Sequence, residues 1–412
     1  MVPRPIDGAV RVGHALASAA VRHGGRCTWI GDETFSVDGA WRVRAAALGP
    51  ELASGVAGIG WFLARIARAT GTGALGVVAV EALRTALDGI DPLLADGRLG
   101  FHDGALGIVW AALDAGLTSG VDELVERALG SLECVEQALA GRGPAATPTL
   151  LRGDAGVMTG LLALADLTGK PSLLAAAARL AADLAPVACA LDERALGGGS
   201  PWSASGESFV GLAQGASGLA LPLIAFGRMA GDQGAFTAAA RAARAERVWC
   251  AGPAAWSGPT IHPWQEPAFA ASSWCGGAAG IGQARLLAHR ATGDLQALAD
   301  ASAAIEAVGA AVAARGPRDV SLCHGLSGWL DLFVTAGVAL SEPTHLDAAG
   351  SIGAQLLALI DPVDGASPPR RLADTNPSLQ LGAAGVGAVL LRLDDPVGVP
   401  SPLTPFVADA AA

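Results

Sequence analysis

The apolar positions of this chain gather into dense runs separated by polar, glycine-punctuated intervals. Seven of the runs share one opening. They are "SGVAGIGWFLARIARATG" from Ser54, "DGALGIVWAALDAG" from Asp103, "RGDAGVMTGLLALADLTG" from Arg152, "QGASGLALPLIAFGRMAG" from Gln214, "GGAAGIGQARLLAHRATG" from Gly276, "HGLSGWLDLFVTAG" from His324 and "LGAAGVGAVLLRL" from Leu381. Each carries a Gly-x-x-Gly followed by residues that are apolar nearly all round, the pattern of a helix buried on every side. Many close on Thr-Gly or Ala-Gly, a natural helix stop. Between them lie stretches charged on one face, such as "VVAVEALRTALDGI" (77–90) and "AFTAAARAARAERVW" (235–249), which suit an outer layer. Alternating, β-type patterning is sparse, and a short N-terminal hairpin is expected near "TFSVDGAWRVR" (34–44).

The first glycines of the seven pairs are Gly55, Gly104, Gly153, Gly215, Gly277, Gly325 and Gly382, so successive units are 49, 49, 62, 62, 48 and 57 residues apart. A recurring unit of this size is a repeat architecture. Seven inner and seven outer helices predict an all-α fold, an α/α toroid in which the array closes on itself and needs no terminal caps. One domain is expected over residues 1–412, with an N-terminal segment 1–50, seven repeats over 51–395 and a tail 396–412. The inner helices would be parallel, with glycines where their N-termini crowd together. The positions just ahead of each pair then share one rim: Ala53-Ser54, His102-Asp103, Leu151-Arg152, Ala213-Gln214, Cys275-Gly276, Cys323-His324 and Gln380-Leu381.

Composition narrows the function. At 51% hydrophobic residues the chain can bury a large core, and a net charge of −11 argues against a nucleic-acid partner. No run of about 18 apolar residues is free of charge, as a membrane span would need. The N-terminus lacks the apolar core of a signal peptide. Six cysteines without disulfide-framework spacing fit a reducing cytoplasm, where Cys is buried, catalytic or metal-bound.

Against that background "SSWCGGAAGIG" (272–282) and "SLCHGLSGW" (321–329) stand out, because each puts a cysteine two residues ahead of its glycine pair. Cys275, Cys323 and His324 thus occupy adjacent rims. Two thiolates and an imidazole suit a zinc ion with one open coordination position, the arrangement of catalytic rather than structural sites. The plainer reading is two buried free thiols and a satisfied histidine; the shared register favours zinc. Cys27, Cys134, Cys189 and Cys250 lack the register and are expected to be buried thiols. Trp61, Trp110 and Trp329 lie inside inner helices and are expected in the core.

The motifs "WCGGAAGIG" and "SLCHGLSG", with "CTWIGDE", "GLAQGASGLAL" and "LGAAGVGAVLLRL", resemble the lanthionine cyclases, the LanC-like family, and in particular the cyclase half of class II lanthionine synthetases. The resemblance covers nearly the whole chain. It implies Cys275, Cys323 and His324 as ligands of Zn2+. It also implies lanthipeptide chemistry, in which a cysteine thiolate of a precursor peptide adds to dehydroalanine or dehydrobutyrine and an acid protonates the enolate. Seven repeats occupy the length, so dehydration is expected from a separate dehydratase or kinase-lyase partner protein.

Two family positions differ. Gln214 stands where the family usually carries a histidine, and an amide cannot exchange a proton near neutral pH. Thr149 stands where the family tends to have an aspartate, with Asp154 as a shifted substitute. His102, supported by Asp103, is the best histidine left on the rim for proton transfer; the alternative is a solvated His102 beside a helix-capping Asp103. Arg152 would hold a peptide carboxylate or the enolate oxygen, or else pair with Asp154. Trp202, Trp256, Trp264 and His262 lie in long insertions and could line a peptide groove. Three functions follow: a cyclase with a relocated acid, a catalytically weak zinc-binding homologue that holds peptide for a partner, or a toroid carbohydrate enzyme with paired carboxylates. The rim disfavours the last, since Asp103 is its one carboxylate.

Overall fold

The structure, a computed structural model, describes residues 4–37, 40–143, 147–199, 210–250, 271–314, 319–360 and 376–406. Trp202, Trp256, Trp264 and His262 lie outside the described residues. The chain divides into two compact units. One comprises residues 1–141 and 354–394, the other residues 142–353 and 395–412.

The first unit begins with α1 (Pro5–Ala19), followed by the antiparallel pairs β1–β2 (Val21–His23 and Arg26–Thr28) and β3–β4 (Ile30–Val37 and Ala40–Ala47). In the longer hairpin Ile30 pairs with Ala47 and Val37 with Ala40, which realises and extends the expected one. Next come α2 (Val56–Thr70), α3 (Gly73–Asp88), α4 (Ile90–Ala95), α5 (Ala105–Ser119) and α6 (Asp122–Ala140). In the second unit lie α7 (Asp154–Thr168), α8 (Pro171–Leu196), α9 (Ala216–Ala230), α10 (Gln233–Trp249), α11 (Ala278–Thr292), α12 (Leu295–Ala313) and α13 (Leu326–Leu340). The helix α14 (Pro343–Ile360) spans the division, and α15 (Ala383–Asp394) returns to the first unit.

Buried and half-exposed helices alternate as the apolar pattern requires. In α5 every residue from Ala105 to Gly116 is buried, whereas α6 buries Leu124, Ala128, Leu132 and Val135 along one stripe. Each inner helix packs on the outer helix that follows it, α2 on α3 through to α11 on α12. The last pair is different. Helix α15 packs against α1 from the start of the chain, which buries Ala9, Val12 and Leu16. The N-terminal segment therefore holds an amphipathic helix, with Ala9, Val12 and Leu16 on its buried face and Asp7, Arg11 and His14 on the other, which the seven-fold Gly-x-x-Gly register leaves out.

In α2, α5, α7, α9, α11 and α13 the first glycine of the pair is an extended N-cap, with no side-chain cap. The second glycine of the pair is a matter of space. A Cβ at Gly280 would overlap the Trp274 carbonyl oxygen and lie 2.7 Å from Leu212 Cβ of the preceding repeat. Gly58, Gly107 and Gly218 sit in the same relation to their own pre-helix turns. Contact between successive repeats thus runs through this position. The expected stops at Gly116 and Gly337 are passed: α5 and α13 run on to Ser119 and Leu340 and end at left-handed Gly120 and Ser341. Those two glycines instead let the outer helix come close, Leu346 Cδ2 being 2.7 Å from a Cβ at Gly337.

Two outer helices, α8 and α12, are long and apolar enough to cross a membrane by length and composition, although Arg179 and Asp183 interrupt the one and Asp300 and Glu306 the other, so neither holds a charge-free run of 18. In this fold α8 buries Leu173, Ala177, Ala181, Leu184, Ala188, Asp192 and Ala195 along one face. A single stripe of that kind belongs to an amphipathic outer helix.

Candidate metal centre

The turns ahead of the inner helices are built alike. In the second unit Leu151 N donates to Ala213 O at 3.1 Å, Ala213 N to Cys275 O at 2.8 Å and Trp274 N to Cys323 O at 2.9 Å. In the first unit Gln380 N donates to Ala53 O and Ala53 N to His102 O. The residue two places before each glycine pair is therefore the rung of a ladder, which gives the shared rim register a backbone form; at Trp274 the donor slips by one residue.

A second regularity lies four residues before the first glycine. Ser273 Oγ accepts from Gly276 N at 3.2 Å, Ser321 Oγ from His324 N at 3.2 Å and Ser378 Oγ from Leu381 N at 3.4 Å. Thr149 Oγ1 accepts from Arg152 N at 3.4 Å. These are hydroxyl-closed turns, and Thr149 belongs to them by position. The repeated Ser-x-Cys of "SWC" and "SLC" is the sequence signal for this role.

On this scaffold the ligand atoms of Cys275, Cys323 and His324 all lie within 4.8 Å of one another. Cys275 and Cys323 are buried and His324 is half-buried. A tetrahedral zinc with bonds of about 2.0–2.3 Å separates its ligands by roughly 3.3–3.8 Å, so the three donors fit the ion with small side-chain adjustments. The electrostatics suit a cation as well. Hydrogen bonds from Cys323 and then His324 hold the Cys275 thiol well below its ordinary range, against burial that would raise it. Burial acts to lower His324, yet the Cys275 sulfur and Asp319 bring it out above its usual value. Helices α11 and α13 begin just beyond the two cysteine turns, and their positive N-terminal ends favour the anionic sulfur. Ser273 Oγ adds a contact to Cys275 Sγ at 3.5 Å.

The remaining rim residues are arranged differently from expectation. His102 is not solvated: it is fully buried, edge-on to Phe101 with ring centroids 5.2 Å apart. The N-cap of α5 is Gly104, not Asp103, whose backbone carbonyl accepts from Arg98 Nη2 at 2.7 Å. Both belong to the first unit, whereas the cysteine–histidine cluster belongs to the second. Arg152 is exposed, and Asp154 is buried and pairs with Arg142 Nη1 at 2.7 Å. Gln214 is half-buried, next to the Ala213 rung.

Cys27 and Cys250 are buried as expected, and burial pushes the Cys27 thiol up to about 12. Cys134 is exposed and Cys189 half-buried, because both lie on outer helices beside the buried stripe rather than in it. Trp61, Trp110 and Trp329 are core residues.

The fold resembles solved structures. One is "Nisin cyclase", with a TM-score of 0.61 and 14% identity over 87% of this chain and 92% of that chain. Its likeness, at that identity, is one of fold, the α/α toroid class. A second, "UGL_D88N/dGlcA-Glc-Rha-Glc", has a TM-score of 0.45 and 13% identity over 77% of this chain and 86% of that chain, and carries no argument. No curated protein matches by sequence. A sequence model of the "Lanthionine synthetase C-like protein" family matches residues 46–404, which takes in all seven glycine pairs and both cysteine turns. The chain belongs to the lanthionine synthetase C-like family.

Proposed function

We propose that this protein holds a zinc ion through Cys275, Cys323 and His324 and closes thioether rings on a dehydrated precursor peptide. The observation that carries the reading is the meeting of three soft and borderline donors, from two successive repeat turns, at one buried point. When bound, the ion supplies Lewis acidity that lowers the pKa of a thiol brought to its open position.

The chain's own residues do the rest. The Ser273 and Ser321 turns fix the backbone ahead of the helices that follow the ligands, and the bond from Trp274 N to Cys323 O joins the two turns. The N-terminal ends of α11 and α13 stabilise anionic charge developing at the rim. Arg152, which follows the Leu151 rung and is exposed, is assigned to hold a peptide carboxylate or an enolate oxygen. Proton return to the enolate is assigned to water: among the described rim residues His102 is enclosed and Gln214 does not titrate. Substrate dehydration is assigned to a separate partner protein.

A second reading, a zinc-bearing homologue that presents peptide to a partner and cyclises slowly, draws support from Gln214 standing where the family usually carries a histidine. Metal analysis of purified protein, together with ring closure of a dehydrated peptide, separates the two. Stoichiometric zinc that is lost in Cys275→Ala/Cys323→Ala, with rings formed only by the wild type, supports the cyclase. Zinc without rings supports the presenting protein. Zinc retained by the double variant overturns both.

A further inference from the structure

The turn that carries Cys323 and His324 is held from within, but the turn that precedes the Cys275 turn in the ladder is held from outside. In repeats six and seven the N–H of the turn-closing serine is capped by a side chain two residues earlier. Ser321 N donates to Asp319 Oδ1 at 2.7 Å and Ser378 N to Asn376 Oδ1 at 2.9 Å. Repeat four has Gly211 at the corresponding place, and the residue two before it is Phe209, which has no acceptor. The Gly211 N–H goes instead to Glu246 Oε1 at 2.7 Å, from the outer helix α10.

Glu246 is fully buried, and its other oxygen is also committed. Oε2 accepts from Ser217 Oγ at 2.6 Å and from Arg285 Nη2 at 2.6 Å. Arg285 is itself 1% exposed and reaches Asp300 Oδ2 at 3.3 Å. One carboxylate thus joins the turn before α9, the first turn of α9, and α11, the helix that follows Cys275.

What this anchor supports is the Cys275 turn. Gly211 has a φ of 104°, and a Cβ there would lie 2.6 Å from Gly276 Cα and 2.9 Å from Cys275 O. A residue with a side chain is excluded on both counts. The next two residues continue the contact. Leu212 packs under Gly280, and Ala213 N bonds Cys275 O at 2.8 Å. Residues 211–213 form a shelf against the ligand turn, and Glu246 fixes the near end of that shelf.

We propose that Glu246 is a positioning residue for the metal centre, holding the 211–213 shelf so that the Cys275 sulfur meets Cys323 and His324. The proposal rests on the zinc reading for its metal consequence, but not for its effect on Cys275. A carboxylate is needed because all its donors point at an acceptor; an amide of equal size presents N–H groups to Gly211 or Arg285 and breaks one arm.

The test compares Glu246→Gln, Gly211→Ala and, as a control, Asp114→Asn, which breaks a comparable buried pair with Arg65 in the first unit. Three quantities are read: zinc affinity by chelator competition, the cobalt-substituted absorption spectrum, and the alkylation rates of Cys275 and Cys323 in metal-free protein. Supporting groups around metal ligands typically change affinity about 10–100-fold. Glu246→Gln and Gly211→Ala are expected to weaken zinc within that range, alter the cobalt bands and speed alkylation of Cys275 over Cys323. Asp114→Asn should leave all three unchanged. Wild-type affinity and Cys275 reactivity in Glu246→Gln overturn the proposal. So does a loss that merely follows thermal stability across all three variants, Asp114→Asn included. If the wild type binds no zinc yet Glu246→Gln still exposes Cys275, the zinc reading fails while the positioning role stands.

Discussion

A single residue in this chain is judged by which of two surfaces it meets, the rim turn or open solvent. Gly280 and Gly350 make the contrast. A Cβ at Gly280 overlaps a backbone carbonyl that nothing can move, whereas one at Gly350, on the exposed side of α14, meets nothing within 4 Å. Gly280→Ala should therefore cost about 2–3 kcal/mol, the range of overpacked sites. Gly350→Ala should instead add about 0.5–1 kcal/mol by stiffening the unfolded chain and favouring helix. Urea melts of both variants check this, and equal midpoints would refute the account. At this scale the candidate ligands Cys275, Cys323 and His324 are legible in the order of residues, because the repeat register places them side by side. Thr149 and Gln214 are legible there only as departures from a family pattern. That Thr149 closes a turn emerges when four turns are compared atom by atom. His102 departs from expectation because rim position along a sequence says nothing about which way a ring points.

Among elements, the outer helices are joined by arginine–carboxylate pairs. Arg241 and Arg244 of α10 both reach Asp192 of α8, which is fully buried. The bond from Arg244 does most to hold the Asp192 carboxyl below its ordinary range, burial opposes it, and Arg241 adds to the lowering. The sign follows from linkage. A carboxyl with a depressed folded pKa stabilises the fold fully above the unfolded value of about 3.9, and that contribution is lost as pH falls through the lower folded value. Asp192→Asn should cost about 1–2 kcal/mol near neutrality, less than an enclosed pair, since Arg244 is half exposed. The melting-temperature gap between wild type and Asp192→Asn should close as pH falls below the unfolded value of about 3.9; a gap that stays constant rules the linkage out. Elements also show where periodicity is ambiguous. Helix α8 has the length and composition of a membrane span, and α1 is an amphipathic helix that stands outside the glycine-pair register.

At the scale of the molecule, the proposed metal ties folding to binding. The ligands come from two turns 48 residues apart in sequence, so an ion that binds only the folded unit stabilises it by mass action. Free zinc at about 100 times its Kd should raise stability by about 2.7 kcal/mol. Chelation should remove that increment from the wild type, whereas Cys323→Ala should melt at one temperature with or without zinc. A zinc-independent melting temperature in the wild type would overturn the metal assignment. Family membership spans both compact units, since the matched residues 46–404 run through each of them.

The order of residues is enough to specify the all-helical class, the seven inner helices, the amphipathic outer layer and the three metal-ligand candidates. Each of these depends on periodicity or on a spacing that repeats, and repetition along a chain is preserved in the order of its residues. Only folding in three dimensions settles which outer helix covers α15, because α1 and α15 are partners with more than 360 residues between them. Folding likewise encloses His102, gives Asp154 to Arg142 and brings Glu246 under the turn beside Cys275. Those contacts join single residues at separations that do not recur along the chain. No periodic signal encodes them; they follow from close packing, and from the need of each buried donor for an acceptor wherever the fold supplies one.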